Sequence, residues 1–143
     1  MEIMGKDLIF ETKYWKIILS DDQTYLGRCS AVLKRKCGDL AEVAEDEMLD
    51  FLNLIKIFES KVRHVFGAKM FNWTCLMNGA YQKTPPDPQV HFHVRPRYDK
   101  EIVFISEKFI DTDFGHHYIR GTNRILSPDI REKIIEAIKN AKT

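Results

Sequence analysis

The stretch whose residue types and spacing can do chemistry is Gln89-Val-His-Phe-His-Val-Arg-Pro-Arg97. Successive side chains of a strand point to opposite faces. Val90, Phe92 and Val94 can therefore enter a core while Gln89, His91, His93 and Arg95 line the other face. Two imidazoles side by side offer a nucleophilic nitrogen and an N–H donor near neutral pH, or two ligands for one metal ion. A metal would need further ligands, for which His116 and His117 are the obvious donors. The plainest alternative is a pair of solvent-facing strand histidines. Lys83 and Arg95 are candidate phosphate contacts.

The elements that must position these residues can be read from local pattern. Leu8–Thr12 and Tyr14–Leu19 are rich in aromatic and β-branched residues, with turn chemistry after them in Ser20-Asp-Asp-Gln23. These are read as a hairpin, and Arg28–Leu33 as a third strand. From Glu45 the period changes: Met48, Leu52, Ile55, Phe58, Val62 and Val65 recur at helical spacing. The predicted helix runs to about Phe66, with carboxylates at its start and Gly67 as its C-terminal cap. Lys69–Met77 reads as a fourth strand, Asn78-Gly79 opens a proline-rich loop, and Val90–Val94 is the fifth strand. Ser127-Pro128-Asp129 has the chemistry of a helix start, and Ile130, Ile134, Ile135 and Ile138 give that helix its apolar face. Strands in meander order around one long helix predict an α+β fold on an antiparallel sheet.

Composition bounds the rest. The 143 residues carry a net charge of +1, with 44% hydrophobic and 30% charged residues, which suits one globular domain over 1–143. Near-neutral charge argues against a dedicated nucleic-acid binder. Apolar runs are far shorter than the roughly 20 residues of a membrane-spanning helix. The start, Met-Glu-Ile-Met-Gly-Lys-Asp, has no apolar core of a secretory signal, so the expected location is the cytoplasm. Cys29, Cys37 and Cys75 lack Cys-x-x-Cys spacing and are expected to be inert thiols.

With these residues in place, the sequence resembles the histidine triad family of nucleotide hydrolases and transferases. That motif, His-φ-His-φ-His running on into Pro-Arg, is matched at His91, His93 and Pro96-Arg97, with Gln89 at the first histidine position. The upstream order is also similar, with Gly27 in a turn, Lys34 following it, a long helix and the Phe71-Asn72 strand, so that the resemblance spans roughly 8–100. It implies a homodimer acting on an adenylyl-type nucleotide with no cofactor or metal required. His91 is implied as the nucleophile that forms a nucleotidyl-histidine, with His93 and Gln89 in support. Asn78, Gln82, Lys83, Thr84, Ser20 and Asn72 are implied as substrate-binding residues. Gln82-Lys83-Thr84 stands three residues earlier than the family's Gly-Gln-Ser/Thr, and Pro85 and Pro86 fill that position. Ser20 occupies the place of a ribose-binding Asp or Asn. A non-catalytic nucleotide-binding module on the same fold is the alternative.

Overall fold

The computed structural model describes residues 5–143. The Met1–Met4 stretch, on which part of the secretory-signal reading rests, lies outside them. Five antiparallel strands form the main sheet: β1 (Leu8–Glu11), β2 (Trp15–Leu19), β3 (Cys29–Leu33), β4 (Met70–Thr74) and β5 (His91–Arg97), in the order β1-β2-β3-β5-β4. The helix α1 (Glu45–Phe66) packs on one face of this sheet, and α2 (Pro128–Asn140) closes the chain. The α+β architecture expected from the pattern of elements is the one observed, but the strands depart from the expected meander order, because β5 enters between β3 and β4.

The core lies between α1 and the sheet. Phe51, Leu54, Phe58, Val62 and Phe66 of α1 are buried against Trp15, Ile17, Leu19, Ala31, Leu33 and Val94. Phe51 sits at its centre, stacked on Phe92 at 4.3 Å and touching Trp15 at 4.7 Å and Trp73 at 5.6 Å between ring centroids. The buried stripe is therefore Glu47, Phe51, Leu54, Phe58, Val62 and Phe66, offset at most positions from the one read in the sequence. Met48 and Leu52 are exposed instead. Adjacent apolar pairs such as Phe51-Leu52 and Val65-Phe66 make the phase ambiguous, and the larger aromatic rings take the interior. Glu47 is buried because Arg35 Nε and Nη2 donate to its two carboxylate oxygens, while Ala44 N–H donates to Oε1 at the helix start. Arg35 holds that carboxyl below the usual carboxylate range. Gly67 ends α1 at φ 78° with its N–H on the Arg63 carbonyl, as the sequence implies.

β4 stops at Thr74, three residues short of the expected end, and β5 runs on to Arg97. Proline inside β5 is tolerated because β3 pairs only as far as Val94, which leaves Pro96 with a single neighbouring strand. Gly27 turns the chain away there at φ 85°, where an added Cβ would lie 3.5 Å from Pro96 Cγ.

After β5 come two short strands, β6 (Ile102–Phe104) and β7 (Glu107–Phe109), joined by Ile105 and Ser106 at φ 49° and 66°. This hairpin is absent from the sequence reading. The segment that follows is fastened to the sheet by Arg97, which is wholly buried. Its guanidinium donates to both oxygens of Asp111, to Asn72 Oδ1 and to the carbonyls of Asp113 and His116. In α2 the Ser127 hydroxyl caps the first turn, Ile134 and Ile138 are buried, and Arg131 reaches the carbonyls of Leu19 and Ser20. No helix among the described residues is long and apolar enough to cross a membrane.

Candidate functional site

Strand register arranges the face opposite α1 in rows. Lys16, Val32 and His91 stand side by side across β2, β3 and β5. Ile18, Ser30, His93 and Thr74 make the next row. Beyond them Ser20 N–H donates to the Arg28 carbonyl, and Asn72 pairs with Arg95. His91 and His93 thus lie on one face with Arg95, as strand alternation requires, while Phe92 packs on Phe51 behind them.

The hydrogen bonds around the two histidines fix their tautomers. His91 Nδ1 lies 2.7 Å from the Gln89 carbonyl oxygen, which can only accept, so Nδ1 carries the proton. In the neutral ring Nε2 then holds a free lone pair. That atom faces His93 Nε2 at 3.2 Å, with the rings near perpendicular. His93 Nε2–H donates across this gap, and His93 Nδ1 faces the Ser30 hydroxyl at 3.5 Å. Burial, followed by the neighbouring His91, Arg28 and Arg95, pushes His93 down to about 4. At neutral pH it is an uncharged N–H donor.

Gln89 serves this arrangement through its backbone. Its side chain turns away to the loop after β3: Nε2 donates to the Leu33 and Arg35 carbonyls, and Oε1 accepts from Cys37 N–H. The residue whose carbonyl orients His91 is thereby anchored by its side chain.

A cavity of about 290 Å³ opens over the pair, lined by His91, His93 and Gln89 with Leu76, Met77, Gly79, Ala80, Lys83 and Asp87. Lys83 and Asp87 of the proline-rich loop bring charge to it, Asp87 being paired with Lys36. Asn78, Gln82 and Thr84 lie on the same loop and face solvent. Asn72 is tied to Arg97, and Ser20 lies beyond the row of His93 with its hydroxyl buried. His116 gives its carbonyl to Arg97, and His117 Nδ1 bonds the Tyr118 carbonyl. Among the described residues no group of three or more His, Cys, Asp or Glu is placed to hold a metal ion. Cys29 and Cys37 are buried, and burial raises the Cys29 thiol far above its ordinary value.

Arg28, Ser30, Thr74 and Leu76 belong to the surroundings of the histidines and were not singled out in the sequence. They come from β3, β4 and the residues flanking them, and only the register brings them together.

No family model and no curated protein matches the chain. Solved structures do. A histidine triad protein from Sinorhizobium meliloti is 14% identical with a TM-score of 0.72, over 96% of this chain and 91% of that one. A hypothetical histidine triad nucleotide-binding protein from Sulfolobus tokodaii is 17% identical with a TM-score of 0.67, over 94% and 84%. The diadenosine triphosphate hydrolase of Plasmodium falciparum is 17% identical with a TM-score of 0.65, over 97% and 78%. With its sheet order and the placement of His91 and His93 already described, the chain has the fold of the histidine triad proteins.

Proposed function

We propose that the protein is a nucleotide hydrolase or nucleotidyl transferase that acts on an adenylyl-type phosphoanhydride or phosphoramidate. The observation that carries this reading is the orientation of His91: its Nδ1 proton is held by the Gln89 carbonyl, so Nε2 presents a lone pair beside a neutral N–H donor at the floor of an open cavity. The nucleotide chemistry named for the diadenosine triphosphate hydrolase supports the substrate class.

In this scheme substrate enters between the two rings, and the His93 N–H turns from His91 to a phosphoryl oxygen. The His91 Nε2 lone pair forms a bond to the α-phosphorus, and the bond to the leaving group breaks with its electron pair. His93 and Lys83 meet the negative charge that builds on the phosphoryl oxygens. His91 is transiently cationic, and the Gln89 carbonyl stabilises it through Nδ1–H. Water or another acceptor then attacks phosphorus, the P–N bond breaks, and His91 is regenerated. No metal or cofactor enters the scheme. Turnover of diadenosine polyphosphates and adenosine phosphoramidates by wild type and His91→Ala tests it. The variant should lose several orders of magnitude with folding intact, and equal turnover by purified variant would exclude the mechanism.

A second reading, a nucleotide-binding module without chemistry, draws on the outward placement of Asn78, Gln82 and Thr84 and on the engagement of the Gln89 amide with backbone. It requires AMP binding with no turnover by wild type. Assembly as a homodimer belongs to the same proposal, supported by the exposed Leu49 and Leu52 of α1 and the unpaired outer edge of β4. So does a cytoplasmic location, which would keep the three free thiols reduced.

A further inference from the structure

Four buried side-chain polar atoms among the described residues have no hydrogen-bond partner: Ser20 Oγ, Arg28 Nε, Thr74 Oγ1 and Arg95 Nη1. All four lie on the face that carries the histidines. Thr74 shares the row of His93, Ser20 and Arg28 are joined by a backbone hydrogen bond, and Arg95 follows His93 on the same face of β5. Arg28 and Arg95 follow the last pair of the β3–β5 ladder, Cys29 with Val94, and line one cavity, where like charges repel. Arg95 is only 9% exposed and makes no ion pair with a described residue. Its guanidinium lies over the Tyr118 ring at 3.8 Å.

Asp22 pairs with Arg28 but not with Arg95. Asp22 Oδ2 meets Arg28 Nη1 at 3.3 Å and the Thr122 hydroxyl, while Oδ1 accepts from Thr24 and from Arg124 N–H. Around these residues is a second cavity of about 260 Å³, lined by Asp22, Arg28, Arg95 and the Tyr118–Thr122 segment. It meets the cavity over the histidines at Leu76, which lines both. A buried cation without an ion-pair partner is costly; Arg95 is one, and with Arg28, whose Nε is also unsatisfied, it lines a cavity suited to an anion.

We propose that Arg28 and Arg95 form a binding site for a phosphoryl-type dianion beside His93. The dianion is a second charged group of the substrate, placed on the Arg95 flank of the reacting phosphorus. That it belongs to the substrate rests on the function proposed above, whereas the anion site itself does not. Two guanidiniums lining one cavity suit a tetrahedral group with several acceptor oxygens better than a single carboxylate.

The test is calorimetric titration of the full chain with inorganic phosphate, and with acetate at matched ionic strength, for wild type, Arg28→Gln, Arg95→Met and His91→Ala. Wild type and His91→Ala should bind phosphate within about twofold of each other. Arg28→Gln and Arg95→Met should bind at least tenfold more weakly, and acetate should bind more weakly than phosphate to wild type. In anion-free buffer Arg95→Met should melt no lower than wild type, because it removes an unpaired buried charge; a purely structural arginine would give a clear loss. Should Arg95→Met not fold, Arg28→Gln decides, since that side chain is partly solvated. Absence of phosphate binding by wild type, equal binding of acetate, or loss of binding in His91→Ala but not in the arginine variants would overturn the site. Binding is read without turnover, so an inactive protein that still binds phosphate through the arginines contradicts the proposed chemistry and not this site.

Discussion

His93 is held neutral by its surroundings, and that has a measurable consequence for stability. Its folded value is about 4 against an ordinary 6.5, lowered by burial first and then by His91, Arg28 and Arg95. Between these two values the unfolded chain binds a proton that the folded chain refuses, so stability is complete above pH 6.5 and falls as the pH drops toward 4. Denaturant titrations should show a loss on the order of 2 kcal/mol across this window. His93→Gln should remove most of that slope, and an unchanged slope would mean that the ring is not held neutral. Gln89 is the other residue with a distinct signature. Gln89→Ala strips partners from two carbonyls and one N–H of the loop after β3, which should lower stability by about 1–2 kcal/mol and reduce kcat more than KM by loosening His91. A kcat equal to wild type would separate Gln89 from the reacting ring. Strand alternation made the shared face of His91, His93 and Arg95 legible in the sequence, whereas Gln89, expected on that face, precedes β5 and turns its amide toward the end of β3. It could not show that the Gln89 amide bonds to Leu33, Arg35 and Cys37, because those partners lie 52–56 positions away.

At the scale of elements, legibility followed local signals. The span of α1 could be read because acids open it and Gly67 closes it, and α2 because Ser127-Pro128 begins it. The buried phase of α1 could not, because neighbouring apolar pairs satisfy either of two stripes. The β6–β7 hairpin escaped for the opposite reason: its turn puts Ile105 and Ser106 at positive φ, where glycine, asparagine or aspartate would have announced it. The loop 118–124 is fastened by a carboxylate whose titration can be followed. Burial raises Asp22, but hydrogen bonds from the Thr122 and Thr24 hydroxyls and from the N–H groups of Arg124 and Thr24 outweigh it and hold the group at about 2. Its contribution is present above its ordinary 3.8 and is lost as the pH falls through 2. Proteolysis of the 118–124 segment should therefore rise over this acid range in the wild type, and Asp22→Asn should show the susceptible state already at pH 6. Equal protection of the variant would mean that the loop is held by other contacts.

Across the whole molecule, the sheet separates two tasks. One face is packed by α1 and supplies rigidity, and the other collects reactive and charged groups from β2, β3, β4 and β5 in register. That register is a long-range property, which explains why the histidines were visible in the sequence while Arg28, Ser30 and Thr74 beside them were not. The apolar residues left on α1, Leu49 at 69% exposure and Leu52 at 48%, are the strongest sign of assembly. Sedimentation should give a dimer at micromolar concentration and a monomer for Leu49→Glu/Leu52→Glu; a monomeric wild type would refute the homodimer.

If His91 Nε2 attacks phosphorus, covalent trapping will capture the adduct. Wild-type protein mixed with a diadenosine polyphosphate, quenched under alkaline conditions that preserve phosphoramidate bonds and mapped by mass spectrometry, should carry one adenylyl group on the His91 peptide. His93→Gln should retain that adduct at a lower level, and His91→Ala should carry none. An adenylyl group on another residue, or turnover by wild type with no adduct at His91 at any time point, would contradict the account.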